Sequence, residues 1–454
     1  MKYLYPKFLK NIVDNGLVKK NDTIISAFSG GKDSVTLLLL LNKLQDDIKF
    51  NLKAAYFNHK LREDSDTESK WIDEYFKKKN IDLIKGSGNI IAFKNKNKLN
   101  LENAASISRY DFFDKVADKF PNSKIATGHS RSDLSETFFI KLFRGSGLQG
   151  LSGIFGLKDQ RIIRPLLIFS KSDILDFLER SGENFFTDPT NGSNTFLRNN
   201  IRNNLIPEIE KIEPNLDKHI FRTVSIIQEE YEYFRNRATE FLSEHLICSR
   251  ILPVRELMKE PLSLRRHIIR EFIRSIKGDL LNIDFEHIEA LTDNHEEKKG
   301  ISVPGINFSI KKGFIYQDMI SIPGYKYSIN SPGEVDIHEI NSKISIYTSN
   351  KFKKPETNFE TIIPLNKIIY PLVIRNAEDL DKYQKINSDV RQKVFEMIRA
   401  SGVPSDLRNL LPVVLNGNND ILWVCGSPVS NKYKTTIKEN NYLEIKLESK
   451  VSQA

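Results

Sequence analysis

The chain has 454 residues, of which 39% are hydrophobic and 28% charged, and its formal net charge is +9. These values describe an ordinary soluble globular protein of roughly two to four domains and exclude a disordered or fibrous chain. The longest apolar run, "VTLLLLL" at 35–41, is far short of the roughly 20 residues a bilayer crossing needs. The opening stretch "MKYLYPKFLKNIVDNGLVKK" has lysines every few residues and no apolar core of an export signal, so a cytoplasmic location without membrane attachment is expected. Two cysteines, Cys248 and Cys425, stand far apart outside any C-x-x-C pair, which argues against a disulfide framework, a zinc site or an iron–sulfur cluster. The basic balance suits a polyanionic partner such as nucleic acid.

In chain order, "NDTIISAF" (21–28) is a β-branched run entering a Gly-Gly turn, and "SVTLLLLLNKL" (34–44) has helical length. A strand at 50–59, a helix at 65–80, a strand at 81–86, a helix at 101–120 and a strand at 123–130 follow. Strands alternating with helices predict an α/β fold, a doubly wound parallel sheet with helices on both faces. Such sheets bind ligands beyond the carboxyl ends of their strands, where "SGGKDS", "NHKLR" and "TGHSRSDLSET" all fall. Two prolines punctuate "PEIEKIEPNL" (207–216), and the chain then reads as helical to about 299 and β-rich from 300. After a junction at 330–340 the remainder reads as a small α+β domain. The expected division is therefore 1–212 catalytic, 213–330 helical and β, and 331–454 α+β.

The loop "SAFSGGKDS" (26–34) contains the glycines, lysine and serine of a nucleotide site. A Walker loop, G-x-x-x-x-G-K-[ST], would need glycine at Ser26 and a hydroxyl residue at Asp33, so this is a different loop. A Gly-Gly turn at a helix N-terminus leaves backbone N–H groups open to a phosphate. Ser29, Gly30, Gly31, Lys32, Asp33 and Ser34 are the expected ATP-binding residues, with Ser29 and Ser34 as hydroxyl donors and Asp33 able to hold Mg²⁺. In "TGHSRSDLSETFF" (127–139), His129, Asp133 and Glu136 bring an imidazole and carboxylates to the same edge. That set can hold Mg²⁺ on oxygen ligands or orient a reacting group. Arg144 beside Gly145 and Gly147 offers a cation on a loop, and Arg198 and Arg202 share one face of a helix start. A solvated basic face is the alternative for that pair.

"SGGKDS" resembles the PP-loop of the ATP pyrophosphatases, which implies ATP cleavage between the α- and β-phosphates and adenylation of a substrate. The remaining motifs resemble the tRNA(Ile)-lysidine synthetase family. "NHKLR" with His59 and Arg62 is similar to its NHxLR element, and Glu102, Arg109, Tyr110 and Phe112 match its E-x-x-A-R-x-x-R-Y-x-F helix. "TGHSRSDLSET" is similar to TGHHxDDQxET, and "FRGSGLQGLSGI", "RPLL" and "DPTNGSNTFLRNNIR" match further segments. Departures are Ser106 for an arginine, Ser130 for a histidine, Ser132 for an aspartate and Leu134 for a glutamine. Weaker similarity continues through "LVIR" (372–375) and "GVPSDLRNLLPVV" (402–414), with Glu378–Asp379 where the family has Gly-Asp.

The resemblance implies adenylation of C2–O of the wobble cytidine in the CAU anticodon of tRNA(Ile), followed by displacement of AMP by free L-lysine. The lysidine formed changes codon reading from AUG to AUA. Catalytic roles then fall to Asp33, Arg109, His129, Asp133 and Glu136, RNA or substrate contacts to His59, Arg62, Arg144, Arg198 and Arg202, and Mg²⁺ to Asp33 or Asp133. The family also suggests a homodimer. A PP-loop tRNA thiolase is the alternative, and the two isolated cysteines count against it. An amidotransferase lacks a glutaminase signature here, and a non-catalytic tRNA-binding protein would not need an intact "SGGKDS".

Overall fold

The computed structural model describes residues 4–59, 65–186, 197–293, 297–318, 322–384, 390–400, 405–435 and 441–450. It divides into two compact units, Met1–Tyr231 and Glu232–Ala454.

In the first unit, helix α1 (Leu4–Asp14) precedes β1 (Thr23–Phe28), α2 (Lys32–Leu44), β2 (Asn51–Asn58), α3 (Ser65–Lys79) and β3 (Leu83–Ser87). Helices α4 (Ile90–Asn97) and α5 (Leu101–Ala117), strand β4 (Ser123–Ala126) and helices α6 (Arg131–Phe143) and α7 (Leu148–Leu151) follow. Strands β5 (Leu157–Lys158) and β6 (Ile162–Ile163) and helix α8 (Lys171–Ser181) come next. The sheet order is β3-β2-β1-β4-β6-β5, parallel from β3 through β6.

Period-two alternation sends neighbouring side chains to opposite faces. Ile24, Ala54 and Ala126 pack into a cluster with α1, α2 and α8, whereas Ile25, Ala55 and Ile125 pack with Phe113, Val116 and Ala117 of α5. Both faces are thus covered, which is why these strands are apolar at successive positions. The expected strand–helix alternation holds, and β5 is a departure from it. It pairs antiparallel with β6, because Asp159 and Gln160 take positive φ (50° and 53°) in the three-residue hairpin loop 159–161, where Arg161 N–H donates to Lys158 O at 3.0 Å.

The short helix α9 (Leu197–Asn200) continues through a π-helical turn (Ile201–Leu205) into α10 (Ile206–Glu210). Helix α11 (Leu216–His245) contains the division between the units.

In the second unit, β7 (Ile251–Pro253), β8 (Lys298–Val303), β9 (Ile306–Lys311) and β10 (Phe314–Gln317) form a sheet of order β7-β10-β9-β8. Helices at Leu262–Lys277 and Phe285–Thr292 bury Ile268, Phe272 and Leu291 with Phe308 of that sheet. Several arginines of this region are ion-paired, including Arg266 with Glu289 at 2.6 Å and Arg274 with Glu271 at 2.8 Å. Two further four-stranded antiparallel sheets enclose a core around Trp423, whose Nε1–H donates to Ser427 O at 2.8 Å. Arg375 of "LVIR" makes a forked pair with Asp381 (2.8 and 2.7 Å). No helix among the described residues is long and apolar enough to cross a membrane.

Gly128 fixes how closely the end of β4 approaches the first turn of α2. A Cβ there would lie 3.0 Å from the Asp33 carbonyl carbon and 3.1 Å from its oxygen, so backbone would have to move. Gly128→Ala is expected to lower the urea midpoint by the equivalent of ~1–3 kcal/mol. An unchanged midpoint would show that the approach is not a constraint.

Candidate active site

The carboxyl ends of β1, β2 and β4 carry Ser29–Asp33, His59 and Thr127–His129 to one edge of the sheet. Gly30 has φ +74°, a left-handed turn that glycine adopts without strain. A Cβ on it would meet Trp71 at 3.3 Å and Phe186 at 3.5 Å, and Phe186 N–H donates to Gly30 O at 2.8 Å. Gly31 then caps α2 with extended backbone and no side-chain cap bond. The first N–H groups of α2 are left to a ligand. Ser34 braces the turn: its hydroxyl donates to Gly31 O at 2.8 Å and accepts from Ser29 N–H at 3.2 Å.

Asp33 lies in the first turn of α2, and its Oδ1 is buried without a hydrogen-bond partner. Burial, then the nearby Asp133, pushes its carboxyl up to about 6 against the pull of Lys32, Lys171 and Arg202. Burial lowers the Lys32 ammonium, and Lys171 lowers it further.

Asp133 is committed differently. As the third residue of α6 it closes a capping box: its Oδ2 accepts from Ser130 N–H (2.8 Å) and Ser130 Oγ–H (2.9 Å). Its Oδ1 accepts from Arg198 at 3.2 Å. Burial would raise this carboxyl, but Arg198, His129 and the Ser130 bonds hold it below the usual range. One turn on, Glu136 is 2% exposed. Its Oε2 accepts from Arg198 Nε–H (2.8 Å) and Arg202 Nη2–H (2.9 Å), and its Oε1 accepts from Arg202 Nε–H. The arginines at 198 and 202 therefore do not form a solvated basic face. They converge on the carboxylates of α6.

His129 Nδ1 lies 2.8 Å from Thr127 Oγ1. Burial, with Arg164, Arg198 and Arg109 around it, holds the imidazole down to about 4 despite Asp133, so it is neutral at physiological pH. His59 is likewise held to about 4 by burial and by Arg109, and its Nδ1 is buried and unpartnered. Arg109 of α5 is lowered by burial and lies over the Tyr110 ring at 5.8 Å.

Arg144 stands apart. It caps the far end of α6 and is exposed, about 16 Å along the helix axis from Asp133 at the standard rise. Arg62 and the segment 187–196, with Asp188 and Asn191, lie outside the described residues. Lys171 and Gly128 belong to the site although the motif reading passed over them. The signal for Lys171 was present in "FSKSDI", where Ser170 and Asp173 form a capping box directly after "RPLL".

No group of three or more His, Cys, Asp or Glu side chains is gathered for a metal among the described residues. Mg²⁺ commonly takes one or two carboxylates and completes its shell with water and substrate phosphates. The unpartnered Oδ1 of Asp33 fits that pattern, whereas both Asp133 oxygens are already engaged.

Residues 3–209 match the PP-loop domain family. The chain is 28% identical to a tRNA(Ile)-lysidine synthase of Clostridium tetani over 97% of both chains. It is also 28% identical to one of Persephonella marina, over 97% of this chain and 99% of the relative. Among solved structures, the U34-tRNA thiolase NcsA of Methanococcus maripaludis is 20% identical over 50% of this chain and 79% of its own, with a TM-score of 0.44, a likeness too loose to bear on activity.

Asp33→Asn separates burial from function. A carboxyl raised from 3.8 to about 6 stabilises the fold only while protonated, and that stability is lost as pH rises through about 6. The variant should thus be more stable than the parent at pH 7.5, by on the order of 2 kcal/mol, and equal to it near pH 4. Thermal melts at the two pH values check this; a variant less stable at pH 7.5 contradicts the burial of an ionised Asp33. Residues 3–209 are thus similar to the PP-loop domain, and the chain is similar over nearly its whole length to the tRNA(Ile)-lysidine synthases.

Proposed function

We propose that this protein ligates L-lysine to C2 of the wobble cytidine in the CAU anticodon of tRNA(Ile), with cleavage of ATP to AMP and pyrophosphate. The observation that carries the reading is the meeting of the phosphate loop at Ser29–Asp33 with Arg109, His129, Arg198 and Arg202 at one sheet edge. Tyrosine and aromatic packing around Arg109 and His59 (Phe57 to His59 at 5.1 Å) suits an unstacked base.

In the first step the cytidine O2 attacks the α-phosphorus, an O2–P bond forms, and the bond to the bridging oxygen breaks to release pyrophosphate. Lys32, the N–H groups of the first turn of α2, Arg198 and Arg202 supply positive charge and donors for the phosphate oxygens. Asp33 would hold Mg²⁺ through Oδ1, and the ion would neutralise charge on the triphosphate. In the second step the neutral ε-amino nitrogen attacks C2, the C2–O bond breaks, and AMP leaves. A base as weak as His129 is a poor proton acceptor at neutral pH. We therefore assign His129 to a hydrogen bond with the cytosine rather than to proton removal. His59 and Arg62 are assigned to the RNA and Arg144 to its backbone. Free L-lysine as co-substrate, a homodimer and a cytoplasmic location complete the proposal, each resting on the family resemblance.

The thiolase reading is disfavoured by the cysteines. Cys248 and Cys425 are both 0% exposed in the apolar core of the second unit. Burial pushes Cys248 up to about 12 and Cys425 well above its ordinary value. Such thiols are inert.

Purified protein with ATP, labelled lysine and a CAU-anticodon tRNA should place label in the tRNA. Cys248→Ala and Cys425→Ala should each retain that activity. Absence of label in the parent refutes the ligase reading, and sulfur incorporation abolished by either variant would restore the thiolase one.

A further inference from the structure

The three hydrogen bonds on Glu136 have a consequence for how the site works. A carboxylate that is to take a proton or grip an ammonium group needs a free lone pair facing the substrate. Glu136 is 2% exposed, and both its oxygens are occupied by guanidinium N–H groups. Arg198 and Arg202 are by contrast 31% and 26% exposed along their side chains. Their Nη1 groups have no partner among the described residues, so the arginines, not the carboxylate, face the open side.

We infer that Glu136 is a positioning residue that clamps Arg198 and Arg202 in a fixed pair to receive the negative charge developing on the transferred phosphate and its leaving group. The inference rests on the proposed adenylation. Arg202 takes Glu136 in a forked grip through Nε and Nη2, while Arg198 bridges Glu136 and Asp133. Arg198 sits on α9 and Arg202 on the π-helical turn at Ile201–Leu205 that continues it. Arg202 is the member whose charge reaches Asp33 and Lys32 at the phosphate loop. Arg198 is the member whose charge reaches His129 and Arg109 on the base side. A single buried carboxylate thereby spaces two cations across both halves of the centre. Preorganised donors of this kind need no rearrangement as charge develops. A lysine at either position would supply charge without the fork.

The test measures the two chemical steps separately. Adenylation is read as pyrophosphate released from ATP and tRNA with lysine omitted, and lysine transfer is read on intermediate accumulated by the parent. The parent is recorded first: its failure to adenylate tRNA refutes the functional reading, apart from anything learned about Glu136. Glu136→Gln should slow adenylation by ~10²-fold while ATP and tRNA dissociation constants move by less than about threefold. Arg202→Gln should do the same, and the double variant should be slowed by much less than the product of the two single effects, because the two residues share one interaction. Glu136→Gln that adenylates at the parental rate and loses only lysine transfer would make Glu136 a direct lysine contact and overturn the clamp. Multiplying effects in the double variant would overturn it too. Should Glu136→Gln fail to fold, Arg198→Lys and Arg202→Lys decide the matter. Each should slow adenylation by at least ~10-fold, and parental rates in both contradict the inference.

Discussion

The centre is governed by how much charge can be buried at one edge of a parallel sheet. Lys32, Arg109, Arg198 and Arg202 share that space with Asp33, Asp133 and Glu136. Each isolated buried charge costs several kcal/mol unless it is paired, and most of these are. Asp133 and Glu136 are bound by arginines and by the α6 cap, while His59 and His129 avoid the cost by remaining neutral. Asp33 is the exception among the carboxylates, with an unpartnered buried oxygen and a carboxyl raised to about 6. An uncompensated group of this kind is characteristic of a site that awaits a charged ligand.

The fold serves this arrangement through close backbone approach rather than through long side chains. Gly30 turns the loop between Trp71 and Phe186, and Gly128 lets the end of β4 lie against the first turn of α2. Gly86 leaves room for Phe112, since a Cβ there would fall 2.3 Å from its ring. Phe112 in turn packs beside Phe57 at 5.4 Å, just before His59. The aromatic of the α5 motif thus supports the strand end that carries a candidate RNA contact, and Arg109 on the same helix faces that contact electrostatically.

Much of this was legible in the chain. Strand–helix alternation announced the parallel sheet, and the step from "SAF" to "SGGKDS" announced a phosphate loop, because period-two apolar runs and Gly-Gly turns are local signals. The β5–β6 hairpin was not legible, since Asp159–Gln160 is an unusual pair for two positive φ angles. The engagement of Arg198 and Arg202 with Glu136 joins residues more than sixty positions apart, and periodicity contains no such information. The same limit hid which carboxylate was free. Spacing made Asp33 and Asp133 equivalent, and only the capping box and Arg198 distinguish them.

The central claim is that this edge adenylates an RNA base before lysine arrives. ATP labelled at the α-phosphate, incubated with protein and CAU-anticodon tRNA in the absence of lysine, tests it most directly. The account predicts that label moves onto the tRNA at the wobble cytidine and is released as AMP when lysine is added. Label that appears only as free AMP or ADP, with none on the tRNA at any time, would contradict it.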